Sequence, residues 1–456
     1  MTDTSVIAQL VSPLPPVHQE ELQHIGSGLR FIESPTDYLQ ELRARHGDTF
    51  IVDVFGYPLL MTFSAKGLEA LYRFEEEQAS FHAATFDMIR FKTPIEILIH
   101  VDARLFYRLL QHKHMPGYLQ TMSRVVDLEL NRWGDPHEID IFDAIRTLEQ
   151  RVGYGLWIGE AAAAQGRWQA LKSHFDVLDQ ESAFVDPAKT LETIKTHKAK
   201  EKAAARALYE LIPALLAEHD AHPQRNYSGA DFLREHFAGE DDFETKVLNN
   251  VINANQGFLS NLYAAVAWVC VHLAQNDALQ AAVIDEITAT RSRHGAEFLQ
   301  STEALNSMTL LEQVTMESVR LAQRSLTLRK VMAPLEFDDG EQTYAVRPGI
   351  YIASMLSVTN TQTPELAQFN PDHYVGNRLA ANVQPAGKET ISTFGHGKHA
   401  CPAQRFSLHM AKVVITQLVS RFSVSTCYTG RAQPSVRQMG GVSRPQEPAR
   451  LRLARR

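Results

Sequence analysis

Residues Phe394–Phe406 read FGHGKHACPAQRF, and this run decides how the rest of the chain is read. Gly395 and Gly397 free the backbone to bend sharply ahead of Cys401 and to turn amide N–H groups toward its sulfur. Pro402 follows at once, and apolar residues then recur at helical spacing (Phe406, Leu408, Met410, Val413, Val414, Leu418). Proline suits the first turn of a helix, where its missing N–H costs nothing. The pattern predicts Cys401 at or just before a helix N-terminus, where the dipole and free amides stabilise a thiolate. A thiolate held in this way, with Phe394 beside it, has the chemistry of an axial ligand to haem iron. Two blander readings compete. A lone cysteine is commonly a small buried hydrophobe, the reading given to Cys270 and Cys427. His396, His399, Cys401 and His409 offer a zinc cluster, but Gly-Lys between the histidines and Pro after the cysteine do not give paired knuckle spacing. The haem thiolate is the favoured reading.

Upstream, MESVRLAQRS holds Glu317 and Arg320 three apart in a helical stretch, so both lie on one face and can pair. By itself Glu-x-x-Arg arises on many solvated helices. Here FNPDHY, Phe369 to Tyr374, lies between it and the cysteine loop. That order resembles the cytochrome P450 family, from about Gly26 to the C-terminus, with the cysteine loop as the specific part. The resemblance implies a mainly α fold with small β-sheets and a haem b whose axial ligand is the Cys401 thiolate. It makes Glu317, Arg320 and His373 a structural set beneath the haem. Phe394 and Gly395 would then belong to the cofactor loop. His399 stands where the family usually has an arginine for a haem propionate, and Ala403 where it usually has glycine. Arg329 is expected as another propionate contact, with Arg104 and Arg108 as weaker candidates.

The resemblance places the distal haem face on the long helical stretch Asp242 to Gln275. There the chain reads NANQGFLSN, Asn253 to Asn261, without the acid–alcohol pair usual in oxygen-activating relatives. Gln256, Gly257 and Phe258 are expected at the reacting face, and the Ala-x-Gln-Gly run resembles the prostacyclin synthase and cholesterol 7α-hydroxylase branch. The alternative for Gln256 is a polar side chain satisfying a helix groove. The substrate pocket is expected to draw on Phe86, Met88, Ile89, Phe91, Leu326, Met439 and Val442, with Ile95 and Leu98 nearby and Arg90 or Lys92 available to a carboxylate. These expectations describe a monooxygenase acting on a lipophilic or aromatic small metabolite, with electrons from a separate ferredoxin and ferredoxin reductase or an equivalent donor. Lys398, Arg405 and Lys412 are the basic residues expected to meet such an acidic partner. A haem-thiolate isomerase, dehydratase or peroxide-using enzyme is the alternative, and a non-catalytic recruitment module a third. Keeping the cysteine loop argues against the last.

The chain has 456 residues, 44% of them hydrophobic, enough for a large core. With no long linker and no repeat, one haem domain over residues 26–456 is expected, preceded by a segment, 1–25, without signal or anchor. Net charge is −8 with signs interspersed, so nothing suggests a nucleic-acid footprint. Three scattered cysteines make no disulfide framework. The N-terminal residues lack a basic flank and apolar core, and no long apolar stretch marks a membrane span. A cytoplasmic, bacterial enzyme of secondary metabolism is the expectation.

Locally, a helix is predicted over Asp37–His46, a hairpin over Thr49–Phe63 around a Gly-Tyr-Pro turn, and a helix over Ala65–Phe74. Asp102–Ala164 reads as helical with breaks at Pro116-Gly117 and near Gly134. Helices are also predicted over Trp168–Ser182, Pro187–His219 and Asp242–Arg293, strands over Leu326–Ser354, and short strands around Gly440-Gly441.

Overall fold

A computed structural model of the protein describes residues 12–102, 104–135, 137–179, 187–222, 225–375, 378–379 and 387–456. The chain is mainly helical with small sheets, as its pattern predicts. Two compact units emerge, one from Met1–Arg90, Val319–Cys401 and Pro434–Ser443, the other from Phe91–Ser318, Pro402–Gln433 and Arg444–Arg456.

The first unit is built on a five-stranded sheet, in the order Thr49–Val54, Tyr57–Thr62, Tyr351–Met355, Leu326–Val331 and Ala79–Ser80. All neighbours are antiparallel except Tyr57–Thr62 against Tyr351–Met355. The hairpin turns at Phe55-Gly56, both at positive φ, rather than at Gly-Tyr-Pro; Tyr57 and Pro58 already belong to the second strand. Residues 16–18 extend the sheet edge, since Ile51 N–H donates to Pro16 O and His18 N–H to Ile51 O. Helix Pro35–His46 opens on its proline and ends at Gly47, whose φ of 85° suits a residue without Cβ. It buries Leu39 and Leu42 against Phe50, Met61 and Phe63.

The second unit is a helical core closed by a three-stranded sheet, Phe422–Thr426, Arg450–Arg455 and His137–Asp140 in that order. The first two strands lie either side of Gly440-Gly441, where short strands are predicted; there the described residues show isolated bridges rather than strands, one of them between Gln323 and Val442. His137–Asp140 falls inside a stretch predicted helical. Pro116-Gly117 does not break a helix but opens one, Met115–Leu130, in the first turn where a proline is tolerated. The stretch predicted over Pro187–His219 is two helices, Pro187–Lys195 and Ala199–Asp220, parted by His197 and Lys198 at positive φ. Asp242–Arg293 is three: Phe243–Leu259, Leu262–Ala274 and Asp277–His294. The helix predicted over Trp168–Ser182 spans Arg167–Leu178, and Ser182 lies outside the described residues.

Candidate functional site

In the first unit the cysteine loop has the bend its glycines predict. Gly395 and Gly397 have φ of 77° and 59°, and a Cβ on Gly395 would meet His399 O at 2.9 Å. The loop is closed by Cys401 N–H donating to Phe394 O at 2.7 Å, by Ala400 N–H to Gly397 O, and by Gly395 N–H to the Ser392 hydroxyl. Cys401 is half-buried and forms no disulfide. Pro402 lies in the turn before the helix Gln404–Arg421, whose N-cap is Ala403, rather than in its first turn. Among the described residues no group of three or more His, Cys, Asp or Glu could hold a metal ion.

Arg329, on the strand Leu326–Val331, is 1% exposed. Its Nη1 donates to Leu328 O, and its guanidinium lies over the rings of Phe81 and Tyr72, 5.0 and 6.0 Å from their centroids. Its Nε and Nη2 are buried with no partner, and burial lowers its pKa. The His399 ring packs on Phe81, centroids 5.0 Å apart, and its Nε2, also without a hydrogen bond, lies 3.5 Å from Glu76 Oε1. Burial, with Arg329 close by, lowers the His399 pKa to about 4, so the ring is neutral at pH 7. Glu76 accepts from the Ser80 hydroxyl and from the backbone N–H groups of Phe81 and His82. Burial opposes its ionisation, but these bonds and the His82 side chain hold its pKa at about 2. The corner thus presents two buried guanidinium donors without acceptors beside an imidazole nitrogen that makes no hydrogen bond, and an anionic oxygen ligand satisfies the guanidinium. Tyr72, Glu76, Phe81 and His82 were not singled out in sequence, where nothing but their tertiary neighbours marks them.

Glu317 and Arg320 lie on the helix Thr309–Ala322, both 0% exposed. Arg320 Nη1 donates to Leu366 O at 2.7 Å and to Asn360 O, and Nη2 reaches Gln368 O at 3.5 Å. Asn360, which sequence reasoning missed, returns its amide to Arg320 O and Ser392 O and accepts from Ser392 N–H. It ties the arginine's helix to the segment entering the cysteine loop. His373 is buried. Of the pocket candidates, Met88, Leu326 and Met439 pack together on one apolar cluster with Leu328, Ala353 and Met355. Val442 is buried beside Gln323, Ile89 is half-buried, and Phe86 is 42% exposed. Arg90 pairs with Asp87, and Lys398 with Glu75.

In the second unit, neighbouring residues of Phe243–Leu259 point to different surroundings. Gln256 donates its amide to Leu178 O at 3.3 Å and leaves Oε1 buried without a partner, beside a small cavity lined by Arg146, Asp179 and Ser260. Phe258 turns into the core, against Trp157 and Phe406. Gly257 is exposed, with nothing within 4 Å of a Cβ placed on it. The helix stops at Ser260-Asn261, where the serine hydroxyl donates to Gly257 O and accepts from the Asn261 amide. Phe91 is half-buried. Lys92 is not available to a substrate carboxylate, because it is buried in a 2.7 Å ion pair with Glu201. Lys412, expected on a partner-facing surface, is 0% exposed; its ammonium donates to Leu305 O and Glu312. Arg405 is half exposed beside Glu312. Arg104 is 89% exposed and held by Asp102, and Arg108 engages His236 and the Phe232 ring. Neither resembles the buried, partly unpartnered Arg329. Among the described residues one stretch meets the test for a membrane span: by length and composition Phe243–Ala274 is apolar enough to cross a membrane, but 72% of its apolar window is buried, as in a core helix.

The family model for cytochrome P450 matches residues 160–453, a span holding Glu317, Arg320, Arg329 and Cys401. The chain belongs to the cytochrome P450 family. It is similar to cytochrome P450 7B1 of Mus musculus, 20% identical over 438 residues, covering 90% of this chain and 84% of the relative. It is also similar to the 25-hydroxycholesterol 7-alpha-hydroxylase of Rattus norvegicus, 21% identical with 72% and 82% covered. The fold matches that of a retinoic acid bound cyanobacterial CYP120A1 with a TM-score of 0.72 at 17% identity, covering 98% of this chain and all of the other. As a P450 the protein is an oxidoreductase, a haem-thiolate monooxygenase of hydroxylase type that takes a small-molecule substrate and electrons from a redox partner. Its residues fit the cofactor this implies. A half-buried cysteine outside any disulfide closes a glycine-bent loop, and in the same unit two buried guanidinium nitrogens of Arg329 and the Nε2 of His399 make no hydrogen bond.

Proposed function

We propose that Cys401 is the thiolate ligand of a haem b and that the protein hydroxylates a mid-sized lipophilic metabolite with an isoprenoid-like skeleton. The observation that carries this is the corner where Arg329 and His399 keep buried nitrogens without acceptors in the unit that holds the Cys401 loop. Arg329 and His399 would hold the carboxylates of the haem, the arginine as a charge and the histidine as a neutral donor. Once bound, the haem supplies the activation of dioxygen for insertion of one oxygen atom into a C–H bond. The Arg320–Asn360 network fixes the backbone leading into the loop. Met88, Leu326 and Met439 offer the apolar surface that excludes water from the substrate. Gln256, by its bond to Leu178 O, positions the helix that carries Gly257.

The relatives named as oxysterol and abscisic acid hydroxylases, and the structural neighbour's retinoic acid, share an apolar carbon skeleton bearing an oxygen function. This supports the substrate class. Electrons are proposed to come from a ferredoxin and its reductase. The test is the reduced carbon monoxide spectrum of Cys401→Ala beside Cys270→Ala and Cys427→Ala. The strongly red-shifted Soret band is expected to vanish only in the first, and its survival there would overturn the assignment. Spectral titration with sterols, retinoids and fatty acids then tests the substrate class independently of the ligand.

A further inference from the structure

A cleft of about 740 Å³ opens in the second unit between the helices Met115–Leu130, Asp277–His294 and Gln404–Arg421, and its lining includes none of the residues assigned to the candidate site above. Its size falls in the range of small-molecule sites, about 300–1,000 Å³. Its charge does not follow the chain's. Against a net charge of −8 overall, the cleft is lined by three arginines, Arg124, Arg291 and Arg421, and a single carboxylate, Asp127. Arg124 pairs with Glu160 and Arg421 with Asp127, but among the described residues no acidic side chain pairs with Arg291. A paired guanidinium keeps spare N–H donors, because it carries five.

The wall is built rather than loose. Gln417 donates to Ser123 O at 2.8 Å, which ties the helix Gln404–Arg421 to Met115–Leu130, and Arg421 Nη1 donates back to Gln417 O at 3.0 Å within its own helix. Thr416, 2% exposed, lines it with a buried hydroxyl that has no partner. A helical threonine commonly turns its hydroxyl back on the carbonyl of the preceding turn. The hydroxyl of Thr416 does not, and an unpartnered buried donor on a residue that lines a cationic cleft marks where an acceptor oxygen belongs.

We propose that this cleft is a binding site for a small multivalent anion, a phosphorylated or polycarboxylate metabolite, gripped by Arg291 and the spare donors of Arg124 and Arg421 with Thr416 at its floor. The proposal shares no residue with the haem assignment and does not rest on it. Guanidinium recognises phosphate and carboxylate through the same bidentate geometry, so both sources are tested. Isothermal titration of the full-length haem protein uses sodium pyrophosphate in one arm and citrate in the other, with sodium chloride at matched ionic strength as the blank. Saturable one-to-one binding of either probe is expected. Arg291→Ala should weaken it about tenfold through loss of a charge-assisted contact. Thr416→Val, which keeps the side-chain shape, should weaken it less. Arg293→Ala, equal in charge, on the same helix and outside the cleft, should bind as the unaltered protein does. Pyrophosphate alone would point to a phosphorylated ligand, citrate alone to a polycarboxylate, and both to the shared anion chemistry. Absence of saturable binding in both arms, or equal weakening by Arg291→Ala and Arg293→Ala, would overturn the proposal.

Discussion

Replacing Arg320 by alanine removes the guanidinium that gathers backbone carbonyls in the interior of the first unit. Nη1 serves Leu366 O at 2.7 Å and Asn360 O, and Nη2 reaches Gln368 O at 3.5 Å, at the limit of a useful bond. The side chain is 0% exposed, so water does not reach the carbonyls in its place. Hydrogen bonds to a charged group contribute about 1.5–3 kcal/mol each, so losing the two short ones costs about 3–6 kcal/mol. A loss of about 4 kcal/mol is a large part of the 5–15 kcal/mol that holds a folded domain together. Arg320→Ala should therefore unfold at a much lower urea concentration and purify largely without haem. Arg320→Lys should fall between, because an ammonium cannot fork between carbonyls as a planar guanidinium does. Circular dichroism in urea and the haem-to-protein absorbance ratio read both effects. If Arg320→Ala keeps the unaltered midpoint and full haem content, the guanidinium is not the clamp described.

Lys412→Met should lower the unfolding midpoint by an amount equivalent to about 3 kcal/mol by leaving Glu312 buried, and Lys412→Met/Glu312→Leu should recover most of it. Identical melting of the unaltered and single-variant proteins would refute this. Glu149, fully buried with neither carboxyl oxygen partnered, has its pKa raised well above 4.5 by burial. The unfolded chain releases that proton near 4.5 and the folded one holds it, so stability falls as pH rises above 4.5. Glu149→Gln should flatten that decline, measured as urea midpoints between about pH 5 and about pH 8; an unchanged slope would show the carboxyl ionised in the fold. Glu76 has the opposite sign. Its folded pKa of about 2 lies below the unfolded 4.5, so its contribution is complete above 4.5 and lost as pH falls through about 2. Glu76→Gln should make acid unfolding over that window shallower, and an acid limb identical to the unaltered protein's would count against the Ser80 and His82 bonds as its cause.

Elements whose signal is local were legible in the sequence. Gly395, Gly397 and Gly47 adopt the positive φ that their positions predict, because only the backbone sets that preference. What depends on distant partners was not. The strand His137–Asp140 has no alternation of its own and forms because Arg450–Arg455, from the far end of the chain, pairs with it. The hairpin turn is settled by register rather than by turn residues. Asp53 opposite Pro58 leaves only Phe55-Gly56 to turn, and Pro58 lies beyond the residues that pair with Tyr351–Ala353, so its missing N–H breaks no bond there. Lys412 reads as a surface lysine until Glu312, a hundred residues earlier, is brought against it.

Gln256, Gly257 and Phe258 show where reading a motif as a block goes wrong. Consecutive residues on an α-helix point about 100° apart, so three in a row cannot meet one group. The structure sends Gln256 to Leu178 O, Phe258 into the rings of Trp157 and Phe406, and leaves Gly257 alone on open surface. The partner that helical geometry offers Gly257 is three residues on, and there stands Ser260, its hydroxyl on Gly257 O at the point where the helix ends. Ser260 and Asn261 closed the quoted motif in the sequence without being singled out, because a serine and an asparagine are unremarked on a helix until the helix stops at them. The open face of this helix is therefore that of Gly257 and Ser260, with Gln256 acting from the side as the brace that sets its position.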